Sequence, residues 1–407
     1  MLVKNLIATL DGEIQVLITA LFDEQWERAR KLMSEPLRMT ADDLTLTALA
    51  DSLCHSDIDI IFRQQDACHL RLNTLNGKFN LYLGLKDQLI SSLMLVPCAA
   101  PDAYEKSGIF TEKTLRAFGL EDVPDGLVCL PSSQNTTALV LLVAGSGPHS
   151  MDYDVGPNPL FRMLAHELSQ HGIASVRFDK RYYRACQENT DSEAIDLNTE
   201  VIDDACNILA GLIEHAEFYH VPVFLVGHSF GGYVSPLIAK NLRQRSGRNI
   251  MGIAMLATPF RSLFQVILSQ LQDANLSPEC TTSPDTSGKN TTSLADFLAV
   301  PDSYLKQLKD YHAFTCLTRL PAMPLFFAQG DQDFQVPHDI DFTMWKTALK
   351  GNKQVEFKLY TGLNHILLPT TGCAGGEDYL QPGQIPAQVI ADLAAWINHH
   401  SSLNDRL

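Results

Sequence analysis

The sequence predicts an α/β fold, a mostly parallel sheet flanked by helices, and three observations predict it. From Leu127 onward, short apolar runs alternate with amphipathic helical patterns. The runs, among them TALVLLVAGSG, IASVRFDK and VPVFLVGHS, are almost uninterruptedly apolar. Strands so composed are buried on both faces, as a parallel sheet under two helical layers requires. The length of 407 residues also leaves room for one large domain beside an accessory unit.

Taken in order, residues 1–100 read as a small α+β unit. Helical patterns run to Met33 and again through LTLTALADSL, followed by strand-like HLRLNTLNGKFNLYLGLKDQLISSLMLVP. Asn76-Gly77 is a hairpin signal between two of these runs. The Pro, Ala and Gly content of residues 97–108 marks a connection, so 101–407 forms the second domain. There the βα rhythm includes PLFRMLAHELSQHG and LNTEVIDDACNILAGLIEHA as helices, and a six-residue strand from Val221 to Val226. It continues through IMGIAMLATP, MPLFFAQGD, a helix near Trp345, QVEFKLY and a last helix around Trp396. Residues 260–318 break the alternation with helical patterns alone, the mark of a cap insertion. FRSLFQVILSQLQ places Phe264, Ile267, Leu268 and Leu271 on one helix face, and the polar stretch 277–293 reads as a loop.

Composition narrows the function. Hydrophobic residues make up 45% and charged residues 19%, and no apolar run reaches the roughly 18 residues needed to span a bilayer. A net charge of −16 opposes nucleic acid and anionic lipid. The basic cluster Arg243, Arg245 and Arg248 reads as a solvated helix end. Asp11 and Glu13 interrupt the apolar start before an export signal could form. Nine cysteines without a C-x-x-C pair suit reduced thiols, and together these readings predict a cytoplasmic protein.

The chemistry-bearing stretch is Gly227-His228-Ser229-Phe230-Gly231, a G-x-S-x-G pattern after an apolar strand and before the helical YVSPLIAKNLRQR. In a nucleophile elbow the serine occupies a strained strand-to-helix turn, and the glycines avoid collisions a Cβ would cause. A glycine-rich turn closing a βα unit is the bland alternative. A hydroxyl needs a base oriented by a third group. Asp333 follows the MPLFFAQ strand and His365 follows VEFKLY, so both can reach the sheet's carboxyl edge. Asp331 competes with Asp333 but is better placed to cap the turn, while His228 is bound into the elbow and His338 opens a helix. Oxyanion donors are expected from the N–H groups of Phe230 and of Ser146, the latter in Gly145-Ser146-Gly147-Pro148. His166 and His171 lie five apart, about 140° around a helix, and so do not form a zinc pair. Neither cofactor nor metal is expected.

These stretches carry a resemblance. VAGSGPHSMDYDVGPNPLFRMLAHELSQHGIASVRFDKR, VGHSFGG, GDQDFQVP and GLNH resemble the α/β-hydrolase superfamily, in particular bacterial serine hydrolases of the serine-aminopeptidase-like and dienelactone-hydrolase-related kind. The likeness covers roughly residues 108–400. It implies an α/β-hydrolase fold with Ser229 as nucleophile, Asp333 as acid and His365 as base. Many relatives have His-Gly where this chain has Ala144-Gly145. Asp152, Asp154 and Asp179-Lys180-Arg181 match family positions as structural hydrogen-bonding or ion-pair residues. Residues 1–100 resemble the nuclear-transport-factor-like domain that precedes such hydrolases. The expected activity is cleavage of a small-molecule carboxylic ester with an apolar acyl group. An aminopeptidase or amidase with the same triad is one alternative. A non-catalytic binding protein, whose N-terminal unit captures a ligand or makes a homodimer, is the other.

Overall fold

The computed structural model describes residues 12–54, 57–64, 67–74, 77–86, 88–97, 108–132, 135–183, 196–273, 301–370 and 377–402. The N-terminal part has helices α1 (Gly12–Phe22), α2 (Trp26–Lys31), α3 (Glu35–Thr40) and α4 (Asp43–Cys54). They precede strands β1 (Asp57–Gln64), β2 (Ala67–Thr74), β3 (Gly77–Lys86) and β4 (Leu89–Pro97). The strands form an antiparallel sheet in the order β1-β2-β3-β4. Cys68, Leu70 and Leu72 recur at the period of two that sends alternate side chains to one face, where they meet Leu17, Ile18 and Leu53 from the helices. The two runs around the Asn76-Gly77 signal pair as antiparallel β2 and β3, and the residues between them, 75 and 76, lie outside the described residues. Thr74 pairs with Gly77, so Gly77 opens β3 instead of sitting in the turn. The edge strand β1 was not anticipated, because Asp57, Asp59 and Arg63 dilute its apolar signal.

The second part is an eight-stranded sheet. Its strands are β5 (Phe110–Thr114), β6 (Gly126–Pro131), β7 (Ala138–Val143), β10 (Ile173–Phe178), β11 (Val223–His228), β12 (Gly252–Leu256), β13 (Leu325–Gly330) and β14 (Val355–Tyr360). A two-residue ribbon, β8 (Asp154–Val155) with β9 (Asn158–Pro159), stands apart from it. The order is β14-β13-β12-β11-β7-β10-β6-β5, parallel from β14 to β10 and antiparallel at β6 and β5. The apolar runs follow from two-sided burial. Leu139, Leu141, Val143, Leu225 and Met255 feed one core, while Val140, Leu142, Phe224, Val226 and Leu256 feed the other. On the first face lie α6 (Asp203–Glu214) and α7 (Phe230–Ser246); on the second lie α5 (Leu160–Ser169) and α12 (Ala387–Ser401). The strand expected from Val221 to Val226 runs instead from Val223 to His228. Register with both neighbours carries it on, since Gly227 pairs with Val143 and His228 with Leu256.

The insertion is helical where it is described, with α8 (Leu263–Asp273), α9 (Asp302–Asp310) and α10 (Ala313–Leu317); residues 277–293 lie outside the described residues. Asp341, fully buried, accepts the N–H groups of Phe260 and Arg261 at 2.9 and 3.0 Å and pairs with the Arg261 guanidinium at 2.7 Å. That anchor holds the turn that leads into α8. Leu263 and Val266 are its buried residues; Phe264, Ile267 and Leu268 of the expected apolar stripe are half-buried, with Ile267 packed against the core, and the side chain of Leu271 lies outside the described residues. A reciprocal pair of bonds, Tyr233 Oη to Tyr311 O at 2.6 Å and Tyr311 Oη to Tyr233 O at 3.1 Å, ties the segment before α10 to α7.

At the other sheet edge, Glu112 receives His166 Nε2 at 3.0 Å and Arg177 Nη1 at 2.7 Å, and Asp152 takes Arg177 Nε at 2.9 Å. Glu112, Cys129 and His166 offer donor atoms within 4.8 Å of one another. A cation there would face the Arg177 guanidinium, so the cluster reads as ion pairing. Burial alone would raise the Glu112 carboxyl, but the bonds from His166 and Arg177, with the guanidinium charge, outweigh it and hold the group at about 2. Because this lies below the ordinary 4.5, the stability it contributes is complete above that pH and is lost as pH falls toward 2. Glu112→Gln should therefore lose less stability than wild type between about pH 5 and pH 3. Urea midpoints at the two pH values check this, and equal losses in both proteins would refute it.

Candidate active site

Chain connections run in opposite directions from β7 and β11, which are neighbours: β7 leads to β10 on one side and β11 to β12 on the other. In open parallel sheets the crevice at such a switch point, beyond the strands' carboxyl ends, is where ligands bind. All five residues singled out from the sequence follow carboxyl ends at this edge. Ser146 comes after β7, Ser229 and Phe230 after β11, Asp333 after β13 and His365 after β14.

Ser229 has φ +53° and ψ −119°, a conformation costly for any residue with a Cβ. The surroundings enforce it. Its N–H donates to Leu256 O at 2.8 Å and its carbonyl accepts Tyr233 N–H at 3.0 Å, opening α7. A Cβ on Gly227 would overlap the Gly231–Gly232 backbone, and one on Gly231 would overlap the Val143 carbonyl. Glycine at both positions lets the strand, the turn and the helix pack within backbone contact.

His365 donates from Nδ1 to Asp333 Oδ2 at 2.7 Å, and both residues are buried. Asp333 is fully engaged. Oδ1 accepts the N–H groups of Gln335 and Val336, each at 2.9 Å, and Oδ2 also accepts Gln329 Nε2 at 2.7 Å. Asn364 shapes the histidine loop by accepting the N–H groups of Ile366 and Leu368 at 3.2 and 3.1 Å. Asp331 takes the turn-capping part expected of it, with Gly362 N–H on Oδ1 at 2.7 Å. His338 opens the helical turn before α11 (Thr343–Ala348).

His228 joins the two halves. Its Nε2 donates to the His365 carbonyl at 2.8 Å, and the two rings lie 4.8 Å apart. A carbonyl only accepts, so Nε2 carries the proton, and Nδ1 accepts from Tyr153 Oη at 2.9 Å. Complete burial, with the nearby His365 adding to it, pushes the His228 pKa well below the ordinary 6.5, so the ring stays neutral. Among the described residues no hydrogen bond joins Ser229 Oγ to His365 Nε2; His228, adjacent to Ser229 in the chain, carries the approach of the two loops.

The Ser146 segment is held by a residue the sequence marked only as structural. Lys180, 1% exposed, donates to Gly145 O at 2.8 Å, Gly147 O at 3.0 Å and Glu200 Oε1 at 2.6 Å. The other family-matched charges are structural as expected. Asp154 accepts Ser150 Oγ and Arg71, Asp179 accepts Met151 N–H at 2.7 Å, and Arg181 grips Asp204 through two nitrogens. Tyr153, Gln329 and Glu200 were missed. They come from three separate segments, and Tyr153, though it lies in a stretch that carries the family resemblance, is a non-glycine residue at φ +51° that no spacing singles out.

No helix among the described residues is long and apolar enough to cross a membrane. In comparisons with known proteins, the chain is 28% identical over 295 residues to esterase EstD of Thermotoga maritima, covering 71% of this chain and 68% of that protein. Among solved structures, esterase B from Lactobacillus rhamnosis aligns with a TM-score of 0.45 and 16% identity over 73% of this chain and 88% of its own. A dienelactone hydrolase from Anabaena variabilis aligns with a TM-score of 0.42 and 15% identity over 72% of this chain and 98% of its own. At such scores these two structures bear on neither substrate nor mechanism. Residues 140–391, more than half of the chain and the span from β7 into the last helix, match the model of the alpha/beta hydrolase family, and the chain belongs to that family.

Proposed function

We propose that the protein is a serine hydrolase that cleaves small carboxylic esters through an acyl-enzyme. The observation that carries this reading is the 2.7 Å bond from His365 Nδ1 to Asp333, in a loop whose His365 carbonyl is bonded to His228, the chain neighbour of a serine at φ +53°. With Nδ1 donating to a carboxylate, Nε2 is left as the acceptor, the form a general base needs. Ser229 Oγ attacks the ester carbonyl, His365 Nε2 takes its proton, and the tetrahedral oxyanion forms against the N–H groups of Phe230 and Ser146. Collapse expels the alcohol, which leaves with the proton from His365. Water, activated by the same imidazole, then releases the acid. The hydrogen bond from Ser229 to Nε2 belongs to the substrate complex, since catalytic bonds commonly tighten only there.

Similarity to a protein named an esterase supports ester over amide. We read the apolar stripe of α8, with Phe264, Ile267 and Leu268 half-buried, as part of a cap that favours an apolar acyl group. We read residues 101–407 as the hydrolase domain with its cap at 260–318, and residues 1–100 as a separate unit whose assembly to test is a homodimer. Cys206 and Cys316 are free and buried, in keeping with a cytoplasmic setting.

A panel of p-nitrophenyl esters of increasing acyl length, run beside aminoacyl-anilides, tests the reading. Esters should be turned over at least about 100-fold faster than anilides, with a preference for acyl chains longer than acetyl. Faster anilide cleavage would assign an amidase instead. No reaction of wild type with a fluorophosphonate probe would remove the serine mechanism altogether.

A further inference from the structure

We propose that Lys180 is the positioning residue of the oxyanion hole, and that Tyr304 of the insertion sets its position through Glu200. The inference rests on the reading of Ser229 as nucleophile with Ser146 and Phe230 as donors. An ammonium has three N–H donors, and each is spent: on Gly145 O, on Gly147 O and on Glu200 Oε1. The Gly145 carbonyl belongs to the same peptide plane as the Ser146 N–H. In a trans peptide the two point in opposite directions, so gripping the oxygen aims the N–H away from Lys180. A cation on that oxygen also polarises the peptide and makes its N–H a stronger donor.

The same ammonium lies over the Phe230 ring, 4.9 Å from its centroid. One buried charge thus contacts both segments that supply the donors. Glu200 is buried in the helical turn before α6, where it balances Lys180, and its second oxygen accepts the Tyr304 hydroxyl. Tyr304 is buried on α9 of the insertion. A path of three side chains therefore runs from the insertion to the peptide of Ser146. A purely structural ion pair would not need its cation placed on the two carbonyls that flank one candidate donor.

The test separates oxyanion binding from substrate binding. A trifluoromethyl ketone carrying the substrate's acyl chain adds Ser229 Oγ to its carbonyl, passes the serine proton to His365 and leaves the negative charge on the former carbonyl oxygen, so its Ki reads the hole. KM for the matching ester reads ground-state binding. Losing a whole donor costs about 10²–10³ in rate, and a displaced donor part of that. Lys180→Met should raise Ki by about 30-fold or more and lower kcat in parallel, with KM within about threefold. Glu200→Gln and Tyr304→Phe should do the same to smaller degrees, about tenfold and fivefold. If Lys180→Met does not fold, the latter two, monitored by thermal unfolding, carry the comparison. Ki and KM rising together, or an unchanged Ki in folded variants, would overturn the proposal. Fluorophosphonate labelling of wild type with an unmoved Ki in the variants would sink this inference alone; no labelling of wild type would sink it together with the serine mechanism.

Discussion

Ser229→Ala will abolish labelling by a fluorophosphonate probe and lower kcat toward a p-nitrophenyl ester by about 10⁴–10⁶-fold, the range seen when a serine nucleophile is removed. The fold will not register the change. Ser229 is held by backbone bonds, from its N–H to Leu256 O and from Tyr233 N–H to its carbonyl, and alanine retains both. Its hydroxyl has no hydrogen-bond partner among the described residues, so deleting Oγ leaves no buried group unpaired. The strain at φ +53° also persists, because alanine has the same Cβ. Unchanged thermal unfolding beside lost turnover is therefore the expected pair of results. Intact-mass detection of a probe adduct on Ser229→Ala would place the nucleophile elsewhere and remove the proposed mechanism.

The elbow was legible because its constraints are local. Gly227, Ser229 and Gly231 fall within five residues, and each glycine is required by backbone packed against it. Asp333 and His365 were legible for a topological reason: parallel strands send their carboxyl ends to one edge, so position after a strand predicts convergence. The choice of Asp333 over Asp331 came from spacing, and the structure gives them different partners, His365 for one and Gly362 for the other. Where the sequence was silent, the determinants are distributed. Lys180, Glu200 and Tyr304 come from three segments with no shared spacing, and only packing brings the cation to the Gly145 carbonyl. The strand β5 escaped because an edge strand need bury only part of its length, and Thr111, Lys113 and Thr114 are exposed. Periodicity gives the apolar stripe of α8 but not how deeply it is buried: Phe264, Ile267 and Leu268 share it and are half-buried, while Leu263 and Val266 are buried.

Asp333→Asn will lower kcat by about 10⁴-fold with little change in KM, because the substitution reverses the tautomer of His365. The carboxylate accepts from four donors, two backbone N–H groups on Oδ1 and the side chains of Gln329 and His365 on Oδ2. An amide cannot satisfy that set. With its oxygen toward Gln335 and Val336, its NH₂ faces Nδ1 of His365, which must then accept, and the ring proton moves to Nε2. The base is thereby occupied on the side where the serine proton must arrive. The flipped amide sets NH₂ against two backbone donors, which is worse. Asp331→Asn supplies the contrast, since its oxygen can still accept the Gly362 N–H; it should cost less than about tenfold. Steady-state kinetics on the two variants, with the His365 ring nitrogens followed by NMR, decide the matter. A fall of less than tenfold in Asp333→Asn, or equal falls in both, would mean that the carboxylate only shapes the loop and that the imidazole is oriented by something other than Asp333.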